Sequence, residues 1–186
     1  KSQPLRLPWP QTMRRFLQLG TEHILAGADH LLFLLGLVAL ATSLRALLLT
    51  VSAFTIGHSL TLVLVTLNIM RTEVLLSESL IALSVVFVAR ELLRPVDAGQ
   101  SLRPLAMASL FGLLHGLGFA SALQEVGLPA GQLLLSLLSF NLGVELGQLL
   151  FVLLLLLPLR WLMRTRYRPL LGYAMGSLAM AWTIER

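Results

Sequence analysis

Along most of this chain apolar residues run in blocks interrupted by short clusters of Arg, Gly and Pro, rather than alternating with polar ones. The blocks are about 20 residues long, which at about 1.5 Å rise per residue matches the hydrocarbon thickness of a bilayer crossed by a helix. Taking Gly, Pro and charge clusters as breaks predicts spans at roughly 23–42, 46–69, 74–93, 103–124, 130–159 and 168–184. The fifth is long enough to tilt, or to end early at Pro158. Ahead of them, Gln11 to Glu22 sets Arg14, Arg15 and Gln18 against Met13, Phe16, Leu17 and Leu19, the pattern of a short amphipathic helix lying in the interface. The expected architecture is all-α, a polytopic membrane bundle: an extracytoplasmic tail and interfacial helix over residues 1–22, then six transmembrane helices over 23–186.

Composition narrows the picture. With 56% hydrophobic and only 12% charged residues, and a mean hydropathy of +0.84, the chain is far from a soluble domain, and the lipid bilayer is its first partner. The net charge of +5 does not point to nucleic acid, because the arginines sit in short gaps between apolar runs without interleaved aromatics. They read instead as topology determinants. Arg45, Arg90, Arg94, Arg103, Arg160, Arg164, Arg166 and Arg168 fall on one side, against Arg71, Arg186 and the basic tail (Lys1, Arg6, Arg14, Arg15) on the other. Short loops dominate this bias, so the side with eight arginines is expected to be cytoplasmic and both termini extracytoplasmic. The start, Lys1-Ser-Gln-Pro-Leu-Arg-Leu-Pro, lacks the apolar core of a signal peptide, and an upstream segment is expected before it.

Candidate chemistry follows from where the polar residues fall. All four histidines, His23, His30, His58 and His115, lie within or at the edge of expected spans, as do Asp29, Glu78 and Glu145. Ionisable groups at bilayer depth cost about 3 kcal/mol on insertion scales, so they face a cavity, a partner or a ligand. Counted from the outer ends of their spans, Glu78 lies about 6 Å deep, Asp29 and His30 about 10 Å, His115 about 13 Å, His58 and Asn141 about 16 Å, and Glu145 about 22 Å. Most occupy one slab in the outer half. His23 and His30, seven apart with Gly27 between, would share one stripe of a continuous helix. Thr55 and Ser59 lie beside His58, where a hydroxyl either orients an imidazole or bonds the preceding turn's carbonyl. Asn141, Glu145 and Gln148 form one polar stripe of the fifth span, as a path or as an interhelical ladder.

The absence of cysteine excludes disulfides, thiolate sites and thiol nucleophiles, so any metal must bind nitrogen and oxygen. Imidazole with carboxylate suits Ni²⁺, Co²⁺ or Zn²⁺. The expected core ligands are His30, His58 and His115, with Asp29 and Glu78 neutralising charge or completing the coordination. His23 would capture the ion at the outer face, and Glu145 with Asn141 would line the exit. A homo-oligomer is compatible with all of this. Two rivals stand beside transport: an intramembrane zinc enzyme with Glu78 or Glu145 activating water, which the absence of a His-Glu-x-x-His motif disfavours, and a membrane subunit that binds metal and delivers it.

Several stretches carry a family resemblance when taken together and in order: His23-x5-Asp29-His30, Ala53-Phe-Thr-x-x-His58-Ser-x-Thr61, Glu78-x-x-Ile81-Ala-Leu-Ser84, Phe111-Gly-Leu-x-His115-Gly-x-Gly-Phe-Ala120 and Phe140-Asn-x-Gly-Val-Glu145-x-Gly-Gln148. On these the chain resembles the HupE/UreJ family of small bacterial membrane proteins. The resemblance implies a secondary transporter, not an enzyme, that takes up nickel or cobalt and is linked in function to a nickel enzyme such as hydrogenase or urease. The first stretch is also similar to the His-x4-Asp-His signature of larger nickel/cobalt permeases. Its one extra residue turns the first His by about 100° around a helix, so the permease geometry is not carried over.

Overall fold

A computed structural model describes residues 8–71, 73–94, 103–126, 129, 131–163 and 167–185. Seven helices follow in chain order: α1 Trp9–Ala26, α2 Ala28–Leu40, α3 Leu44–Thr66, α4 Val74–Leu92, α5 Arg103–Val126, α6 Leu133–Met163 and α7 Arg168–Glu185. No strand occurs among the described residues, so the all-α expectation holds. Lys1, Arg6, Arg164, Arg166 and Arg186, counted above for orientation, lie outside the described residues.

Local chemistry sets the helix ends. Pro10 sits in the first turn of α1, where a missing N–H costs nothing. The Ser43 hydroxyl caps α3 by accepting from the Ala46 N–H at 3.1 Å. At its other end α3 stops at Asn68, whose φ of 57° is left-handed, a conformation Asn tolerates better than most side chains. Helix α6 does not end at Pro158 but continues to Met163.

The first expected span differs from the structure. Instead of one helix over 23–42, the chain breaks at Gly27, where the backbone is extended (φ −79°, ψ 99°), and α1 and α2 meet at a bend of 73°. The expected amphipathic helix forms, but it runs past Glu22 to Ala26. Its buried stripe Thr12, Phe16, Gly20 and Ile24 packs along α6. Space makes the break a glycine position: a Cβ on Gly27 would lie 2.9 Å from both the His23 carbonyl oxygen and Nδ1 of His30.

Among the described residues two helices are long and apolar enough to cross a membrane by themselves, Leu44–Thr66 and the Leu133–Leu155 part of α6, and the bent pair α1 and α2 supplies a third candidate. Helix α4, with Glu78, Arg90 and Glu91 in 19 residues, does not meet that standard. The outer surface agrees with a bilayer. Leu134, Leu138, Leu142, Leu146 and Leu150 form an exposed stripe at every fourth residue of α6, and Leu49, Ile56 and Leu60, seven and four residues apart, form another on α3. Such an apolar surface in water would be an aggregation site; in lipid it is the solvated face.

Lipid tails are as apolar as leucine, so helices in a bilayer associate through close packing and polar contacts rather than hydrophobic burial. Three pairs dominate here, α3 with α5, α1 with α6, and α4 with α7. Each is joined through glycine. Gly112 and Gly116 of α5 press on the backbone of Phe54 and His58 in α3, while Gly143 and Gly20 do the same between α6 and α1. In both pairs a threonine bridges the seam: Thr61 donates to the Leu113 carbonyl at 2.8 Å, and the Thr21 hydroxyl lies 3.1 Å from that of Gly143.

Adding a Cβ at Gly112 meets backbone atoms of Phe54, which cannot swing aside. Gly112→Leu is therefore expected to destabilise the folded protein in detergent by about 1–3 kcal/mol or more, read as a lowered thermal midpoint. Leu138→Ala on the exposed stripe should shift the midpoint little; equal effects would contradict the α3–α5 seam.

Candidate functional site

Two aromatic clusters meet in the middle of the bundle, Phe33, Phe54 and Phe111 on one side and Phe119 with Phe140 on the other. The four histidines lie between them, each from a different helix: His23 ends α1, His30 opens α2, His58 is in mid α3 and His115 in mid α5. Their ring centres stand 4.5 Å apart for His23 and His30, 4.6 Å for His30 and His115, 5.8 Å for His23 and His58, and 6.2 Å for His30 and His58. His58 and His115 are fully buried and His30 is 8% exposed.

The backbone features already described create this meeting. The break at Gly27 turns His30 back toward His23, so the two rings contact edge to face across a bend rather than along one stripe. The close α3–α5 seam fixes the heights of His58 and His115, because Gly116 sits directly against the His58 carbonyl and Thr61. His23, expected as an outer capture residue, lies with the other three rings and leans at 39° against Phe119, ring centres 3.9 Å apart.

Hydrogen bonding is where the cluster departs from ordinary protein interior. Buried polar atoms are almost always paired. Here five buried imidazole nitrogens have no partner among the described residues: Nε2 of His23, Nε2 of His30, both nitrogens of His58 and Nδ1 of His115. Only His115 gains a hydroxyl. Ser84 of α4 lies 3.0 Å from its Nε2, and the same hydroxyl is 2.6 Å from the Ile81 carbonyl. A hydroxyl has one hydrogen, and the shorter contact to an acceptor-only carbonyl takes it. Ser84 then accepts from His115, the ring proton sits on Nε2, and the buried Nδ1 carries the lone pair.

The other expected site residues divide. Thr55 and Ser59 do not orient His58. Thr55 donates to Gln148 Oε1 at 2.8 Å, and Ser59 bonds back to the Thr55 carbonyl at 2.6 Å. The local carbonyl and the facing amide outcompete a ring that points elsewhere. Ser52 donates to Glu145 at 2.9 Å, so Glu145 and Gln148 form two rungs of a ladder joining α6 to α3. Asn141 gives its amide N–H to the Leu137 carbonyl at 2.9 Å, and its side-chain oxygen is buried without a protein partner. Asp29 and Glu78 are half-buried at the N-terminal turns of α2 and α4. Sequence reasoning missed Ser84 and the aromatic lining. Ser84 stands at hydroxyl spacing in the Glu78-to-Ser84 stretch, whereas the phenylalanines carry no signal that separates them from ordinary core.

Two imidazoles ligating one ion through bonds of about 2.1 Å place their ring centres roughly 4.5–6.5 Å apart, the range found here. Separation is not yet coordination. Among the described residues no group of three or more His, Cys, Asp or Glu side chains is arranged to hold a metal ion.

The hydroxyl bookkeeping fixes a tautomer, and nitrogen NMR of histidine-labelled protein reads tautomers directly. His115 should show a protonated Nε2, and Ser84→Ala should shift that signal while leaving the fold intact. An Nδ1–H signal in the unaltered protein would refute the assignment.

Searches of curated proteins and of solved structures find no match to this chain. The family model described as HupE / UreJ protein matches residues 3–186. With nearly the whole chain aligned, including all four helices that carry the histidines, this protein is a member of the HupE/UreJ family.

Proposed function

We propose that the chain is a secondary transporter that takes up a divalent transition metal ion, Ni²⁺ or Co²⁺, across the bacterial inner membrane, with the histidine cluster as the point where the ion is held in transit. The observation that carries this reading is the set of five buried imidazole nitrogens, on four helices, that have no partner among the described residues. Leaving a buried polar atom unmade costs about 1–3 kcal/mol, and a site that tolerates several has another use for them. Neutral nitrogen donors in an aromatic, water-poor setting suit a borderline-soft cation better than a hard one.

His30, His58 and His115 are the core ligands in this reading, and His23 joins them across the Gly27 bend. For His115 the donor atom is Nδ1, with Ser84 holding its tautomer from behind, the outer-shell arrangement usual for metal-bound imidazole. The rings must turn from their present orientations to converge on one ion. Asp29 and Glu78 offer charge neutralisation from the N-terminal turns of α2 and α4. On the far side, Asn141 and the ladder of Glu145 and Gln148 continue the polar route along α6. The full architecture is six spans, the first broken at Gly27, with both termini extracytoplasmic. A discontinuous first span fits a transporter, since such folds place their sites where helices are interrupted. The family's transporter character favours this over an intramembrane zinc enzyme, and a functional link to a nickel enzyme such as hydrogenase or urease follows from the same kinship.

Right-side-out or reconstituted vesicles with radioactive nickel provide the test. Wild type should accumulate the ion inside, and His58→Ala should lose most of the uptake, with Ser84→Ala weakening metal affinity by about 10–100-fold. Metal that binds the purified protein but never accumulates would leave delivery, not transport, as the role of this chain.

A further inference from the structure

Away from the histidines, α4 and α7 enclose an open groove of about 300 Å³ at the end of the bundle where α4 finishes and α7 begins. Its floor is Ala89 with Gly172 and Gly176, the glycines that let the two helices approach. Roughly ten groups the size of a water molecule would fill it, comparable to a length of acyl chain. The floor and most of the wall are apolar, but Arg90, Tyr173 and Ser177 stand on the rim.

The charge at this end is unbalanced. Glu91 is the carboxylate for two arginines, Arg94 at 3.2 Å and Arg103 at 3.5 Å. Arg90, one residue away and exposed, has no carboxylate partner among the described residues. Arg168 stands one helical turn before Gly172, on the stripe of α7 that faces the groove, and its Nε is buried without a protein partner. Thus a greasy slot and two guanidiniums that have no carboxylate among the described residues occur at the same end of one helix pair.

From this juxtaposition we propose that the α4–α7 groove binds one anionic phospholipid, its phosphate between Arg90 and Arg168 with the Tyr173 hydroxyl in support, and an acyl chain along Ala89, Gly172 and Gly176. Guanidinium presents N–H donors in a planar fork that matches phosphate oxygens, and basic pockets between membrane helices hold anionic headgroups on the cytoplasmic side. The cytoplasmic placement rests on the orientation proposed above; the binding itself rests on the groove. Free phosphate would use the arginines alone, whereas the apolar floor has a role only for a lipid tail.

Native mass spectrometry of the detergent-purified, delipidated chain, without added metal, tests this apart from transport. Phosphatidylglycerol is expected to be retained at one molecule per chain in preference to phosphatidylcholine. Arg90→Gln alters an exposed side chain and should weaken that retention by about tenfold, the loss of one charge-assisted contact. Gly176→Leu fills the groove with both arginines in place and should also reduce retention; if it fails to fold, Arg90→Gln alone carries the test. Equal retention of the two lipids, no effect of Arg90→Gln, or displacement by inorganic phosphate at concentrations matching the lipid would each overturn the proposal.

Discussion

A backbone interrupted at Gly27 and pinned by glycine seams is what everything else here depends on. Without the 73° bend, His23 and His30 would ride one straight helix roughly 10 Å apart along its axis, too far to touch. With it, their ring centres come within 4.5 Å. The seams then set the rest of the cluster. Gly112 and Gly116 allow α5 to lie directly on the backbone of α3, and this close approach brings His115 and His58 to compatible heights. In a bilayer, where hydrophobic burial gives no preference for one helix neighbour over another, such contacts and the few polar bridges decide the arrangement.

The polar groups of the bundle fall into two kinds, and the difference is one of satisfaction. Thr61, Ser52 with Glu145, and Thr55 with Gln148 spend their hydrogen bonds on helix pairing, and the Thr21 hydroxyl sits between the carbonyl of Leu17 in its own helix and that of Gly143 in α6. They fix which helix lies against which. The imidazoles do the opposite: they are buried, they face one another, and most of their nitrogens are left unmade. A low-dielectric interior makes both behaviours consequential, since paired groups hold firmly and unpaired ones attract any ligand that can satisfy them. Ser84 stands between the two kinds, bonded to its own helix yet also fixing the proton on His115.

Much of this was legible in the residues. Apolar blocks located helices at five of the six expected spans to within a few residues, and of these Leu44–Thr66 and Leu133–Leu155 are long and apolar enough to cross a membrane. The identity of the clustered histidines was also readable, since an imidazole within so apolar a helix lacks local partners. The break at Gly27 was not, because glycine inside a helical pattern is tolerated as often as it interrupts, and only the crowding by the His23 carbonyl and the His30 ring decides the matter. The fate of Thr55 depended on whether Gln148 faced it, a tertiary fact that the helical period alone does not contain. That the His23 ring would lie against His30 was not readable for the same reason, as depth counted along an assumed straight helix ignores a turn.

The central claim is that His23, His30, His58 and His115 hold one transition metal ion between them. Anomalous diffraction at the nickel edge, from crystals of nickel-loaded protein, addresses it most directly. A single strong peak within bonding distance of nitrogens from at least three of these rings, Nδ1 of His115 among them, is the predicted result. A nickel peak seated elsewhere on the protein, with the four rings left as they are, would contradict the account.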